Sequence, residues 1–162
     1  MSRFSGKSVL ITGASGGLGQ QLAVDFAHEG ANVAVNYLSS AETAEETVAR
    51  IKADNGQAIA CQADIACSDN VKAMVEQVVA TYGGVDVLIN NAGLSMDAPF
   101  LELSERAWDQ VVGVNLKGPF LVSQAVGRHM VAEKRGRIVN ISATTAVQAR
   151  AGNATMPRRR PT

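Results

Sequence analysis

Residues 8–19 of the 162-residue chain read SVLITGASGGLG, an apolar run that ends in a glycine-rich turn. Residues 8–12 have the apolar, β-branched composition of a buried strand, and a helical pattern follows at 17–29. The glycines let the backbone turn sharply and approach a pyrophosphate, whose charge the free N–H groups of a helix N-terminus stabilise. The same spacing also fits a tight strand-to-helix turn without a ligand. The candidate binding residues of this turn are Gly13, Ser15, Gly16, Gly17, Leu18 and Gly19.

Short apolar runs and longer helical patterns alternate along the rest of the chain. Further strands are predicted at 32–36, 58–62, 85–89 and 137–141. Helices are predicted at 41–54, 69–82 and 105–133, the last preceded by a loop or short helix near Phe100. Repeated strand–helix–strand units form right-handed crossovers, so we expect a doubly wound α/β fold of Rossmann type with a parallel sheet.

Two local signals mark the ends of the helix predicted at 41–54. Ser39 and Glu42 have the spacing of a capping box, which predicts a side-chain cap at the helix N-terminus. Asn55 and Gly56 supply a stop signal at the other end.

Composition and charge restrict the class of protein. The length and the 46% share of hydrophobic residues predict one soluble globular domain that needs no metal or disulfide. Fifteen basic residues balance fifteen acidic ones and only 4% are aromatic, so no nucleic-acid partner is expected. Cys61 and Cys67 have neither zinc nor redox spacing, which favours inert thiols in a reducing cytoplasm. No apolar run suits an export signal or a membrane span.

A second motif follows the strand predicted at 85–89. Asn90, Asn91, Ala92 and Gly93 lie at its carboxyl end, where doubly wound sheets bind their ligands. The small side chains of Ala92 and Gly93 let a nicotinamide ribose lie close to the backbone. The alternative is an asparagine-rich strand exit with no ligand.

Three further motifs join these two: Asp64-Ile65 after the third predicted strand, Val114-Asn115 in the long helix, and residues 137–142, which read RIVNIS. Together they resemble the short-chain dehydrogenase/reductase family over residues 5–155, and within it bacterial 3-oxoacyl-carrier-protein reductases and glucose 1-dehydrogenases. The resemblance implies a homo-oligomeric oxidoreductase that transfers hydride between NAD(P)(H) and a small carbonyl or alcohol substrate.

The resemblance also implies roles for single residues. It places Asp64 and Ile65 beside the adenine, Asn91, Ala92 and Gly93 beside the nicotinamide ribose, and Val114 among the cofactor-binding residues. It makes Asn115 the holder of a water in a proton relay. Taken alone, Asp64 also fits a helix-capping or loop carboxylate, and Asn115 a satisfied polar group within a helix.

The choice between NADP and NAD depends on the end of the second strand. An acidic residue there binds the ribose 2′-hydroxyl and repels a 2′-phosphate, but this chain has Leu38, Ser39 and Ser40. No carboxylate opposes NADP, although neither Gly16 nor Leu38 supplies a basic side chain. We therefore expect a weak preference for NADP, with Ser39 and Ser40 as phosphate donors and NAD as the alternative.

Two catalytic positions depart from the family pattern. The family's Tyr-x-x-x-Lys pair is absent, since Tyr37 and Tyr82 are the only tyrosines. The family's catalytic serine precedes that tyrosine by thirteen positions, which falls on Ala143 if the tyrosine belongs at 156. Ser142 is the candidate serine, but neighbouring residues on a strand point to opposite faces, so it needs a bulge to face a substrate.

The last seven residues, 156–162, read MPRRRPT, and their composition differs from that of the rest of the chain. These residues can be encoded by synonymous codons that, when preceded by a T and read in another frame, encode Tyr-Ala-Ala-Ser-Lys. That frame places tyrosine at position 156 and lysine at 160. We therefore expect residues 1–155 to form an NAD(P)-binding Rossmann domain that is incomplete at its C-terminal side, and 156–162 to be a basic tail produced by a frameshift. The alternative is a genuine basic tail.

Three functional hypotheses remain open. The first is the cofactor-binding part of a carbonyl reductase, catalytically incomplete in this chain. The second is a non-catalytic nucleotide-binding or interaction module, and the third is an unfolded fragment. Because the family has further strands and helices, we also expect an unpaired edge at 137–141, exposed apolar side chains on the helix at 105–133, and poor folding.

Overall fold

The computed structural model describes residues 2–143, whose strands form one parallel sheet in the order β3-β2-β1-β4-β5. The strands are β1 (Ser8–Ile11), β2 (Asn32–Tyr37), β3 (Gln57–Gln62), β4 (Val87–Asn90) and β5 (Arg137–Asn140). The central strand β1 pairs with β2 on one side and with β4 on the other. The strand order reverses between β1 and β4, which creates the switch point where such sheets bind ligands. The predicted doubly wound α/β fold is confirmed.

Helices cover both faces of the sheet. They are α1 (Gly17–His28), α2 (Ala41–Ala53), α3 (Ser68–Tyr82), α4 (Glu105–Val112) and α5 (Gly118–Ala132), with a short 3₁₀ turn at Phe100–Glu102. Since successive side chains of a strand point to opposite faces, Val9 and Ile11 enter the core beneath α1 and α2. Leu10, between them, enters the second core beneath α3 and α5. Both layers therefore rest on the alternation within β1.

The helix predicted at 105–133 is divided in its middle. α4 ends at Val112, a π-helical turn covers Gly113–Lys117, and α5 follows directly. The backbone stays right-handed helical at both junctions. Buried residues continue at helical spacing across the turn, from Val111 to Gly118 and Val122, which explains why the pattern predicted one helix. π-helical turns are rare and occur often at functional sites.

The two end signals of α2 have different outcomes. The predicted capping box is wrong, because the helix begins at Ala41 behind Ser40, and the Ser40 side chain makes no capping hydrogen bond. The predicted stop is confirmed. Asn55 has a positive φ of 61°, its N–H donates to the Lys52 carbonyl, and the Gly56 N–H donates to the Ile51 carbonyl. This pair of hydrogen bonds is a Schellman motif.

The strand β5 differs from the other four. It pairs only with β4 among the described residues, and all four of its residues are exposed. Ile138 and Val139 are 41% and 43% exposed, whereas the residues of β1 are buried. On α5, Phe120 and Val131 are also exposed, as expected for a helix with part of its apolar surface uncovered.

Some predictions lie outside the described residues, namely the tail at 156–162 and the frameshift position at 156. Within residues 2–143, no helix is both long and apolar enough to cross a membrane. In the same part of the chain, no three His, Cys, Asp or Glu side chains are grouped closely enough to hold a metal ion.

Candidate functional site

A cavity of about 360 Å³ lies at the carboxyl ends of β1, β2, β3 and β4. Ten of the predicted cofactor-binding residues line it, so the separate motifs of the sequence meet in one place: Gly13, Ser15, Ser39, Ser40, Asp64, Ile65, Asn91, Ala92, Gly93 and Val114. The other four predicted residues, Gly16, Gly17, Leu18 and Gly19, do not line it and form the start of α1. The lining also includes four residues that were not among the predicted cofactor-binding residues: Asn36, Leu38, Ala63 and Leu94.

The segment from Gly13 to Gly19 has no room for a Cβ at two of its positions. Gly13 has a φ of +61°, and a Cβ there would lie 2.8 Å from the Ala92 Cα atom. A Cβ on Gly19 would lie 2.5 Å from the Gly13 carbonyl oxygen and 2.5 Å from the Asn91 side-chain nitrogen. The turn is therefore packed tightly against the exit of β4, and the first turn of α1 lies close behind it.

Backbone N–H groups of this turn fall into two sets. Those of Gly13 and Ala14 are occupied, because Asn36 accepts the first through Oδ1 at 3.1 Å and the second through its carbonyl at 2.8 Å. Those of Gly17, Leu18 and Gly19 open the helix, where no intrahelical acceptor exists, and no other described residue accepts them. No acidic side chain occupies the first turn of α1. Free donors, a positive helix end and a turn with no room for a Cβ suit a pyrophosphate group.

Thr12 and Asn91 fasten the exits of β1 and β4 to each other. Thr12 Oγ1 accepts the N–H groups of Asn91 at 3.0 Å and Ala92 at 3.1 Å. The Asn91 side-chain amide donates to the carbonyls of Thr12 at 3.0 Å and Gly13 at 3.1 Å. Asn91 therefore holds the glycine turn with its side chain. Thr12 lies within the glycine motif, but its role depends on β4 and is not predicted by the motif.

The backbone after Asn91 is open toward the cavity. A Cβ built on Gly93 would meet its nearest atom, Asn115 Oδ1, only at 3.8 Å. The lack of a side chain at Gly93 thus leaves free space beside the backbone, which suits the close approach of a ribose predicted for Ala92 and Gly93.

Asn115 lies in the π-helical turn and binds both backbone groups of Leu94. Its Oδ1 accepts the Leu94 N–H and its Nδ2 donates to the Leu94 carbonyl, each at 2.8 Å. This pair of hydrogen bonds fixes the chain as it leaves β4 and supports the satisfied-polar-group interpretation of Asn115. Its role in a proton relay remains a prediction.

Asp64 and Ile65 form the wall of the cavity at the exit of β3. Asp64 is half-buried, and its Oδ1 accepts the Ala66 N–H at 2.9 Å in a local turn. Ile65 is 5% exposed, and a Cβ on Gly118 would lie 2.6 Å from its Cδ1 atom, so the wall packs directly against the start of α5. The carboxylate of Asp64 thus serves the loop while it lines the cavity.

Neither the predicted serine nor the tyrosines line the cavity. Ser142 lies two residues beyond β5 and is exposed. Tyr82 donates its hydroxyl to the Val33 carbonyl at 3.3 Å, and burial together with nearby Cys61 raises the pKa of Tyr82 to about 12. Burial likewise raises the pKa of the Cys61 thiol to about 12, in agreement with an inert cysteine. The described part of the chain therefore offers this cavity no tyrosine as an acid.

Comparison with known proteins identifies the family. Residues 7–155 match the short chain dehydrogenase family. The chain belongs to that family. The predicted resemblance to short-chain dehydrogenases is thereby confirmed for most of the chain.

Its relatives include both enzymes and solved structures. The 3-oxoacyl-[acyl-carrier-protein] reductase FabG of Staphylococcus aureus (strain Mu50) is 43% identical over 148 residues, which cover 91% of this chain and 60% of that enzyme. A metagenomic short-chain oxidoreductase in complex with NADP has a TM-score of 0.89 at 34% identity, with 94% of this chain and 69% of that chain covered. A short chain dehydrogenase from Mycobacterium avium has a TM-score of 0.87 at 33% identity, over 94% and 59% of the two chains. The chain thus spans about 60% of the length of the curated relatives it matches.

Proposed function

We propose that this chain binds NADP(H), and NAD(H) more weakly, as the nucleotide-binding part of a short-chain oxidoreductase that acts on a carbonyl or alcohol substrate. The observation that carries the proposal is the cavity at the carboxyl ends of four parallel strands, beside unpaired N–H groups at the start of α1. The similarity to FabG and to the NADP complex supports the cofactor class. A 3-oxoacyl thioester is the proposed substrate, supported by the similarity to FabG alone.

Each part of the nucleotide has proposed partners in this chain. The N–H groups of residues 17–19 hold the pyrophosphate, since no acceptor in residues 2–143 occupies them and they lie at the positive end of a helix. Asp64, Ile65 and Val114 form the adenine side, and Ala92 with Gly93 leave space for the nicotinamide ribose. The bound nicotinamide supplies hydride chemistry that no side chain can provide.

The preference for NADP rests on the end of β2. Leu38, Ser39 and Ser40 are exposed and line the cavity, and none of them is a carboxylate. The hydroxyls of Ser39 and Ser40 can donate to a 2′-phosphate, and this segment contains no carboxylate to repel it. Without a basic partner in this segment, the preference is small.

Catalytic chemistry is a separate part of the proposal. Asn115 and Ser142 are the proposed catalytic positions, and the chain contains no Tyr-x-x-x-Lys sequence to supply an acid. Binding without turnover is therefore the expected behaviour of the 162-residue chain. The same proposal includes domain limits at 1–155 and 156–162, a cytoplasmic location, and a homo-oligomeric state of the whole protein.

Calorimetric titration of the chain with NADPH and NADH tests this function. We compare Gly19→Ala, whose Cβ collides with the Gly13 carbonyl, with Gly127→Ala in α5, whose Cβ meets nothing within 4 Å. The unchanged chain and Gly127→Ala bind NADPH alike and somewhat more tightly than NADH, whereas Gly19→Ala binds NADPH at least about tenfold more weakly. No binding by the unchanged chain, or equal binding by Gly19→Ala, contradicts the proposal.

A further inference from the structure

Asn36 is a buried polar residue near the end of β2 that the sequence analysis did not single out. Its side chain lines the cavity, although the residue is only 2% exposed. It stands beside Cys61 in the register of β2 and β3. Its neighbours along β2, from Val33 to Val35, are apolar and belong to the two cores, so an amide at this position is not required by packing.

The amide of Asn36 contacts three segments of the chain at once. Oδ1 accepts the Gly13 N–H at 3.1 Å in the glycine turn. Nδ2 donates to the carbonyls of Cys61 and Ala63, both at 3.2 Å, at the exit of β3, and reaches the Tyr37 carbonyl at 3.3 Å. Reversal of the amide would put its oxygen against three carbonyls and its nitrogen against an N–H, so the network fixes this orientation.

Only a side chain with an acceptor on one arm and donors on the other satisfies these contacts. A carboxylate retains the acceptor for Gly13 but sets negative oxygen atoms against the carbonyls of Cys61 and Ala63. An apolar side chain leaves the N–H and the carbonyls without this partner. The residue type therefore follows from the two parts of the cavity that it joins, namely the glycine turn at Gly13 and the wall at the exit of β3.

The proposed nucleotide must contact both of these walls at once, the glycine turn with its pyrophosphate and the exit of β3 with its adenine. Gly13 begins the turn that leads to the pyrophosphate donors of α1, and Ala63 precedes Asp64 and Ile65 on the adenine side. The Asn36 side chain accepts the Gly13 N–H and its backbone carbonyl accepts the Ala14 N–H, so that the free donors start further along the turn. The Asn36 amide is thus a direct side-chain link between the phosphate side and the adenine side.

We propose that Asn36 is a positioning residue that sets the spacing between the pyrophosphate turn and the adenine wall. This inference rests on the proposed nucleotide binding. A ligand that spans both walls gains from their fixed spacing, because contact with one wall raises its effective concentration at the other. A ligand that contacts one wall gains nothing from it.

The test compares Asn36→Ala with Asn32→Ala, a change of the same residue type at the opposite end of the same strand. Two probes are titrated into each protein by calorimetry: NADPH, which spans both walls, and adenosine 2′-monophosphate, which lacks the pyrophosphate. Asn36→Ala weakens NADPH binding about 100-fold and changes adenosine 2′-monophosphate binding by less than about threefold. Asn32→Ala changes neither affinity. Heat denaturation shows that each variant is folded.

Equal losses for both probes, or no loss for NADPH, overturn the inference while the binding function stands. Failure of the unchanged chain to bind NADPH overturns the function and the inference together. If Asn36→Ala does not fold, Asn36→Thr repeats the test, since its side chain stays polar and uncharged but is too short to join the Gly13 N–H to the carbonyls at the β3 exit. The same difference between the two probes is then expected, and failure of both variants to fold contradicts the inference, because Asn36 would then be needed for the fold itself.

Discussion

At the amino end of the sheet, the Asp86 carboxylate lies between Lys7 at 3.4 Å and Arg135 at 3.1 Å and accepts the Ser8 N–H at 3.0 Å. At the carboxyl end of the same strands, N–H groups of residues 17–19 have no acceptor among the described residues, and a cavity lies beside them. One end of β1 and β4 is thus satisfied within the chain, and the other presents unpaired donors.

This difference separates stability from binding. A partly buried carboxylate with its charge and hydrogen bonds matched holds the strands together and offers nothing to a ligand. Unpaired donors at a helix N-terminus contribute little to the fold, but they favour an anion. Loss of the carboxylate at the amino end should therefore affect unfolding, whereas loss of the unpaired donors at the carboxyl end should affect nucleotide binding.

The largest expected effect concerns turnover. The unpaired N–H groups at the carboxyl end of the sheet can bind an anion, but the chain contains no Tyr-x-x-x-Lys sequence to supply an acid. General acid–base catalysis contributes about 10²–10⁴-fold in rate. Purified chain with NADPH and an acetoacetyl thioester should consume NADPH at the background rate, measured by absorbance. Robust reduction would show that another group of the chain supplies the proton, and would contradict our account of the site.

Removal of the amino-end carboxylate comes next. Asp86→Ala leaves the Ser8 N–H and two cations without their acceptor, and should lower the free energy of unfolding by about 2–3 kcal/mol. Urea denaturation measures the loss, and NADPH affinity of the folded protein should stay the same. Glu76→Ala, which breaks only an exposed pair with Lys72 at 4.0 Å, is the control and should cost under about 0.5 kcal/mol. A similar cost for both variants would remove the distinction between the two ends.

Two glycines with positive φ sharpen the comparison further. Gly83 follows α3 with a φ of +81° and open space around it, so Gly83→Ala should cost about 1 kcal/mol for backbone strain alone. Gly13→Ala adds a collision with the Ala92 backbone to similar strain and should cost about 2 kcal/mol. Urea denaturation of both variants decides the order. A larger loss for Gly83→Ala would show that the contact between the exits of β1 and β4 is not tight.

The smallest expected effect is the pH dependence of the amino end. Partial burial raises the pKa of Asp86, but the Ser8 N–H and the charges of Lys7 and Arg135 outweigh burial, so the pKa lies below its ordinary value of 3.8. A lowered carboxyl pKa contributes stability that is present above the ordinary value and is lost as the pH falls through the lowered one. Denaturation in urea from neutral pH down to the acid limb should show this loss, and Asp86→Asn should show less of it. An equal acid slope in both proteins would rule out Asp86 as its source.

Much of the fold follows from local patterns in the sequence. Strands with apolar, β-branched residues end within two residues of their predicted bounds, because a buried parallel strand needs such residues along its whole length. The exit motifs were also found, and parallel strands bring their carboxyl ends to one edge, which is why ten separate candidates line one cavity.

Other features depend on contacts that no local pattern contains. Asn36 and Thr12 look like ordinary polar residues until β3 and β4 are placed beside them. The backbone stays helical on both sides of the π-helical turn at Gly113–Lys117, so the hydrophobic period does not reveal it. Ser39 and Glu42 have capping spacing, but the helix starts one residue later than that spacing requires. The exposure of β5 likewise depends on what lies beside the strand, not on its apolar sequence.

The most direct test of the account is a map of backbone amide shifts in the ¹⁵N-labelled chain as NADPH is added. Saturable shifts should cluster at the carboxyl end, at residues 15–19, at Ile65 and at Ala92 and Gly93, while Ser8 and Asp86 at the amino end stay unchanged. Shifts that centre on the amino end, or the absence of any saturable shift, would contradict the assignment of nucleotide binding to the carboxyl end of the sheet.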